Sequence, residues 1–232
     1  LAAKVIMGEK IPQNLLVKPI PPYDSVKCSQ FSFMRLDGAD PVLGVEMMST
    51  GEVACIGDDY ADALIKSLMA AEYNIPIKLN NILITVDKSL HKAVIPVAKS
   101  LVNLGGKILA TEHTAETLRE NGIHCKMVYK VSEKEKKPNI LDYILEKNID
   151  LVINIPLSNK ESRIYEDEYL IRRKAVEFNI PVITNIQLAE DITYALEQLR
   201  EKGITDLESY YEKISIKSLS EYLELNKFEY YW

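Results

Sequence analysis

The sequence has few cysteines and no long apolar run. Its three cysteines, Cys28, Cys55 and Cys125, are widely spaced along 232 residues and form no CxxC pair. This pattern indicates neither a disulfide framework nor a zinc site, and it fits a reducing compartment. No apolar stretch approaches the roughly 18 residues of a membrane span, so we expect no membrane partner.

The chain also has no excess of positive charge, with 28 lysines and arginines against 34 acidic residues. The formal net charge is -6 and the sequence pI is about 5.3. Binding to a nucleic-acid backbone needs clustered cations, so we expect no nucleic-acid partner, although local phosphate binding is still allowed. The chain opens on Leu1 instead of Met, and we therefore expect that it begins inside a longer polypeptide and has lost any targeting signal.

Motifs for catalysis are missing as well. No GxxxxGK[ST] or GxGxxG follows a predicted strand, and no nucleophile has an obvious partner base. The three histidines, His91, His113 and His124, lack metal-ligand spacing. We predict no catalytic residue and no metal site.

The chain divides by its patterns into three parts. Prolines interrupt the first forty residues, and the region up to residue 76 reads as a fragment that needs a packing partner. Its predicted elements are a helix at 1–7, extended pieces at 25–28, 30–33, 42–48 and 53–56, and an amphipathic helix at 58–72.

Residues 80–203 then alternate between apolar strands and helices. The predicted strands are 82–86, 107–110, 125–129, 151–155 and 182–184, and the predicted helices are 89–104, 114–121, 139–147, 167–179 and 187–202. Such alternation is typical of an α/β domain with a doubly wound parallel sheet. The tail, 204–232, carries one predicted helix at 218–226.

Ligands of open parallel sheets bind beyond the carboxyl ends of the strands. After the second strand, Thr111 and Thr114 place two hydroxyls at a predicted helix start, where free N–H groups and the helix dipole suit an anion. An equal alternative is that Thr114 is only the N-cap of that helix.

Other strand ends carry further polar candidates. Lys130 follows the third strand, Asn154 interrupts an apolar run in the fourth, and Thr85, His91 and Lys92 lie near the end of the first. Lysines at loop starts are more often simply solvated, but several could converge on one anion. The Arg172-Arg173-Lys174 run is either a second anion-binding element or a solvated helix face.

Residues 30–53, QFSFMRLDGADPVLGVEMMSTGEV, resemble the closing segment of the second ATP-grasp unit of carbamoyl-phosphate synthase large subunits. The following domain resembles the methylglyoxal-synthase-like regulatory domain of that family, with 110–115, 150–154 and 169–173 matching in order. The resemblance implies a methylglyoxal-synthase-like α/β domain preceded by an ATP-grasp fragment.

In that family the regulatory domain binds an allosteric effector. The resemblance implies a site made from Thr85, Thr111, Thr114, Lys130 and Asn154, with His91 and Lys92 where nucleotide-binding members have a lysine. Lys130 favours a nucleotide such as UMP, IMP or UTP over N-acetylglutamate.

The resemblance also implies a parent enzyme, an ATP-dependent ligase that makes carbamoyl phosphate from bicarbonate, ammonia and two ATP for pyrimidine and arginine synthesis. It would use ATP with Mg²⁺ or Mn²⁺, take glutamine-derived ammonia from an amidotransferase small subunit, and form an oligomer. The cytoplasm is expected, or the mitochondrion for an ammonia-dependent parent. This fragment alone should be inactive.

Two alternatives stay open. The first is a free-standing methylglyoxal-synthase-type lyase, although residues 130–137 lack the aspartate and glycines that true methylglyoxal synthases have there. The second is a structural domain whose pocket has degenerated.

Overall fold

The computed structural model describes residues 2–11, 23–43, 49–133, 135–155 and 163–224. The strands are β1 Asp24–Gln30, β2 Gly51–Gly57, β3 Asn81–Val86, β4 Lys107–Ala110, β5 Cys125–Met127, β6 Leu151–Ile155 and β7 Val182–Ile183. The helices are α1 Ala2–Ile6, α2 Tyr60–Ala70, α3 His91–Asn103, α4 Glu112–Glu120, α5 Ile140–Leu145, α6 Arg163–Glu177, α7 Ile186–Glu201, α8 Leu207–Lys213 and α9 Leu219–Glu224.

Five strands form a parallel sheet in the order β5-β4-β3-β6-β7. Both faces of such a sheet are covered by helices, which explains why its strands are continuous apolar runs. Connections run outward in opposite directions from β3 and β6, so the strand order reverses between these two neighbours. Their carboxyl ends therefore form the topological switch point, where open α/β sheets bind ligands. The predicted doubly wound α/β fold is confirmed.

Side chains alternate between two apolar cores. Ile82 and Ile84 of β3 pack into the larger core, which includes residues of α3, α4 and α7. Leu83 and Val152 face the opposite side and pack with residues of α5 and α6. Since successive side chains of a strand point to opposite faces, Thr85 and Asn154 lie on this second side.

A two-stranded hairpin precedes the parallel sheet. β1 and β2 pair antiparallel over seven residues, and α2 packs on both strands and on α7. Asp59 caps α2 by accepting a hydrogen bond from the N–H of Asp62 at 3.0 Å. Gly57 lets the end of β2 lie close to the backbone of α2, because a Cβ there would lie 2.3 Å from the backbone nitrogen of Ala63.

Several predicted elements differ from the structure. The extended piece predicted at 30–33 is wrong beyond Gln30, since Phe33–Arg35 forms a 3-10 turn. Most of the piece predicted at 42–48 lies outside the described residues. The third strand ends at Met127, two residues before its predicted end, and α6 begins at Arg163, four residues before the predicted start.

The tail also departs from its prediction. Helix α8 was not predicted, although Asp206 and Ser209 form a capping box at its start. Tyr210 of α8 is 1% exposed and packs in the larger core. The helix predicted at 218–226 is present as α9, while residues 225–226 lie outside the described part. The division at 1–76, 80–203 and 204–232 stays a prediction.

None of the helices among the described residues has both the length and the apolar character needed to cross a membrane.

Candidate functional site

Three buried polar side chains stand side by side at the carboxyl edge of the sheet. Thr85 of β3 lies directly opposite Asn154 of β6. Thr111 follows Ala110, which pairs with Ile84, so Thr111 continues the same row onto β4. Thr85 and Thr111 are each 7% exposed and Asn154 is fully buried. The structure thus brings together three of the seven predicted site residues at the switch point.

Helix α4 adds a fourth, Thr114. The helix begins at Glu112, and Thr111 occupies its N-cap position in an extended conformation. The alternative that Thr114 is the N-cap is therefore wrong. The side chain of Thr111 makes no capping hydrogen bond, and Thr114, one turn further on, is 2% exposed. The first-turn N–H groups and two hydroxyls thus cluster at the positive end of the helix dipole.

Lys130 begins the loop after β5 and is half-buried. Its carbonyl oxygen accepts a hydrogen bond from Nδ2 of Asn139 at 2.7 Å. Two residues later, the N–H and hydroxyl of Ser132 donate to the Asp167 carboxylate of α6 at 2.8 and 2.7 Å. These bonds fix the backbone from which the Lys130 ammonium extends.

His91 and Lys92 lie at the start of α3, on the other side of the sheet. Nδ1 of His91 lies 2.8 Å from the hydroxyl of Thr117 of α4, and the imidazole is 9% exposed. Burial lowers the pKa of His91 below its ordinary value. Lys92 is exposed. The structure therefore places His91 in a contact between two helices and does not join it or Lys92 to the row of Thr85, Thr111 and Asn154.

The row continues into α6 through Arg172, whose contact with Asn154 the sequence did not predict. Arg172 is fully buried, and its Nη1 donates to Oδ1 of Asn154 at 2.7 Å. Its Nε and Nη2 donate to the two carboxylate oxygens of Asp40 at 2.8 and 2.6 Å. The expectation of a solvated helix face is wrong for this residue, because its guanidinium forms a buried two-pronged ion pair.

Arg173, also predicted to be solvated or anion-binding, is 6% exposed. Its Nη1 donates to the carbonyl oxygens of Phe33 and Leu36 at 2.8 and 2.9 Å. The hydroxyl of Tyr169 donates to the carbonyl oxygen of Gly38 at 3.0 Å. Helix α6 therefore holds residues 33–40, which we call the anchored segment, by side-chain bonds to its backbone and to Asp40.

These contacts also define the orientation of the Asn154 amide. An arginine has only donors, so the Asn154 atom that faces Arg172 must be the carbonyl oxygen Oδ1. The amide nitrogen Nδ2 is buried, and among the described residues no acceptor lies within hydrogen-bond distance of it. A buried N–H group without a partner is unfavourable, so Nδ2 is a donor placed to meet an oxygen atom.

Two cavities lie away from this row. One, of about 670 Å³, is lined by residues that include Phe33, Pro41 and Val182. The other, of about 550 Å³, lies between β2, α2 and α8 and is lined by Cys55 and Tyr210 among others. No predicted site residue lines either cavity. Among the described residues, no group of three or more histidine, cysteine or acidic side chains could hold a metal ion.

Comparison with known proteins gives a consistent family. Residues 93–184 match the MGS-like domain family. The carbamoyl phosphate synthase large chain, C-terminal section, of Methanopyrus kandleri is 41% identical over 211 residues, 88% of this chain and 38% of that protein. The mitochondrial ammonia carbamoyl-phosphate synthase of Homo sapiens is 36% identical over 218 residues, 90% of this chain and 14% of that protein.

A solved methylglyoxal synthase from Elizabethkingia anophelis covers 62% of this chain and 96% of its own, with 15% identity and a TM-score of 0.43. The chain spans less than half the length of the two carbamoyl-phosphate synthase relatives. The resemblance inferred from residues 30–53 and from the following domain is confirmed. The chain contains an MGS-like domain and is a homologue of the C-terminal part of carbamoyl-phosphate synthase large chains.

Proposed function

We propose that this chain is the regulatory part of a carbamoyl-phosphate synthase and binds an anionic effector beyond the carboxyl ends of β3, β4 and β6. The observation that carries the proposal is the row of Thr85, Thr111 and Asn154, three buried polar side chains at one level of three adjacent strands. Buried strands of a parallel sheet are usually apolar throughout, and this polar row lies where such sheets bind ligands.

The groups of the row suit a phosphate or a carboxylate. The Thr111 and Thr114 hydroxyls and the free N–H groups of α4 can donate to its oxygens, and the helix dipole favours its charge. The Lys130 ammonium supplies a full positive charge, and Nδ2 of Asn154 supplies a further donor. Thr85 completes the floor of the site.

A nucleotide is the effector that we propose, of the UMP, IMP or UTP type. The support is Lys130, whose charge suits a phosphate group. His91 and Lys92 would reach the nucleotide only from the start of α3, across the sheet from Asn154, and His91 is already engaged by Thr117. N-acetylglutamate, which carries two carboxylates, is the ligand against which this proposal is tested.

The parent protein is proposed to be the ATP-dependent ligase that makes carbamoyl phosphate from bicarbonate, ammonia and two ATP. ATP and Mg²⁺ or Mn²⁺ are part of this proposal for the parent, and we expect them to bind elsewhere in it. An amidotransferase subunit, an oligomeric state and a cytoplasmic location belong to the same proposal. Residues 1–76 would be the end of its ATP-grasp unit, and residues 204–232 its tail.

Calorimetric titration of the 232-residue chain with UMP, IMP, UTP and N-acetylglutamate tests the proposed function. We expect a nucleotide to bind and Thr111→Val to weaken its affinity by about tenfold or more, since a hydrogen bond to a charged group contributes about 1.5–3 kcal/mol. Lys130→Ala should have a comparable effect. Neither change should lower the free energy of unfolding by as much as it weakens the free energy of binding.

Matched controls exist on the same chain. Lys126→Ala removes an exposed lysine of β5, and Thr205→Val removes an exposed threonine before α8. Both controls should bind like the unchanged chain. Binding of N-acetylglutamate alone would contradict the nucleotide assignment, and binding of no anion would favour a degenerate pocket.

A further inference from the structure

We propose that Arg172 is a positioning residue that couples the effector site to the anchored segment, residues 33–40. The inference rests on the proposed function, whose site contains Asn154, and it adds a route by which occupancy of that site reaches another part of the chain. The route is a continuous series of hydrogen bonds from Asn154 through Arg172 to Asp40.

The geometry makes Arg172 a bridge with two ends. At one end Nη1 donates to Oδ1 of Asn154 at 2.7 Å and so fixes the orientation of this amide, whose Nδ2 has no partner among the described residues. At the other end Nε and Nη2 hold both oxygens of Asp40, a residue 132 positions away in sequence. A guanidinium is planar and rigid, so a shift at either end must move the other.

Burial strengthens this connection. The Arg172 side chain is fully buried, and that of Asp40 is 19% exposed. Water therefore competes little for the guanidinium, and neither charge can easily leave the other. The bridge can transmit a displacement that an exposed ion pair would lose to solvent.

The far end of the bridge is independently attached to the same helix. Arg173 and Tyr169 donate to backbone carbonyl oxygens of the anchored segment, and among the described residues neither side chain hydrogen-bonds to Asn154. Replacing Arg173 should therefore remove part of the attachment of the segment while the bonds from Asp40 through Arg172 to Asn154 stay in place. This separation distinguishes specific coupling through Arg172 from general loosening of the segment.

Coupling between two sites is reciprocal, so weakening the Asp40 end should weaken effector binding. We expect Asp40→Asn, which keeps the shape and removes the charge, to lower nucleotide affinity about fivefold or more, the lower range of such couplings. Asp40 lies outside the proposed site. Arg173→Lys should leave affinity within about twofold of the unchanged chain.

A ligand-free measurement keeps this inference separate from the proposed function. In a ¹⁵N-asparagine-labelled chain, the side-chain amide signal of Asn154 is assigned by its loss in Asn154→Asp. Asp40→Asn should shift that signal and Asp142→Asn, which alters an exposed pair with Lys137, should not. Circular dichroism checks that each variant is folded.

The two measurements together distinguish failure of the coupling from failure of the proposed function. A shifted Asn154 signal together with weakened nucleotide binding supports both inferences. A shifted signal in a chain that binds no effector supports the bridge and refutes the proposed function. An unshifted signal, or unchanged affinity in Asp40→Asn alongside nucleotide binding, overturns the coupling while leaving effector binding intact.

Discussion

Replacing Arg172 by methionine gives the sharpest test of how much the buried bridge contributes to stability. The change removes a fully buried guanidinium and leaves Asn154 Oδ1 buried without this donor and Asp40 without this cation. Breaking a buried ion pair from one side costs about 3–5 kcal/mol. Because Asp40 keeps some exposure to water, we expect a loss of about 3–4 kcal/mol, a large share of the 5–15 kcal/mol of an ordinary domain.

Urea unfolding followed by far-UV circular dichroism measures this loss, provided that the slope with denaturant stays constant. The double change Arg172→Met with Asp40→Asn removes both charges and should recover at least about 1 kcal/mol over the single change. Lys174→Met on the same helix breaks an exposed pair with Glu177 and should cost less than about 1 kcal/mol. A loss in Arg172→Met no greater than in Lys174→Met would refute the reasoning.

Two further predictions concern buried polar groups. The Tyr210 hydroxyl is buried without a partner among the described residues, so Tyr210→Phe should leave the free energy of unfolding unchanged or raise it. The Tyr222 hydroxyl donates to a carbonyl oxygen, so Tyr222→Phe should lower the free energy of unfolding by about 1 kcal/mol. Urea titration of both decides, and a clear loss in Tyr210→Phe would count against the assignment. The lowered pKa of His91 means that the folded chain resists its protonation, so stability should be full above pH 6.5 and fall as the pH drops through this value. His91→Gln should flatten the dependence of the free energy of unfolding on pH between pH 7 and 5.5. If this dependence is instead lost in His113→Gln, which replaces an exposed histidine, the account is contradicted.

The sequence was sufficient for the sheet and for most of the row at its edge. Apolar runs of strand length with intervening amphipathic helices predict a parallel sheet, and its strand ends must share one edge. Asn154 could be singled out because a polar residue in a buried run needs a hydrogen-bonding partner. The local pattern thus located Thr85, Thr111 and Asn154 before any contact was known.

The partner of Asn154 could not be found in the same way. Arg172 lies beside another arginine and a lysine on a helix, a pattern that is typical of a solvated face. Its partner Asp40 is 132 positions away, and no local rule connects such distant charges. Helix periodicity, had it been applied, would have placed Arg172 next to Ile171 and Ala175 on the buried side of α6.

Helix α8 was missed for a different reason. It has seven residues, too few for an apolar period to stand out, and its burial depends on a single side chain, Tyr210. The capping pair Asp206 and Ser209 was visible in the sequence, but Ser replaces the usual Glu or Gln of that signature. Tertiary packing, which decides the fate of such short helices, is not written in the local sequence.

The central claim is that an anion binds at the carboxyl edge of the sheet, against Thr111, Thr114 and Asn154. The most direct measurement is a titration of the uniformly ¹⁵N-labelled chain with UMP, followed by nuclear magnetic resonance of the backbone amide and asparagine side-chain signals. We predict that the largest saturable shifts occur at the amides of residues 111–114 and at the Asn154 side chain. Saturable shifts confined to other parts of the chain, or no shift at any nucleotide concentration, would contradict the claim.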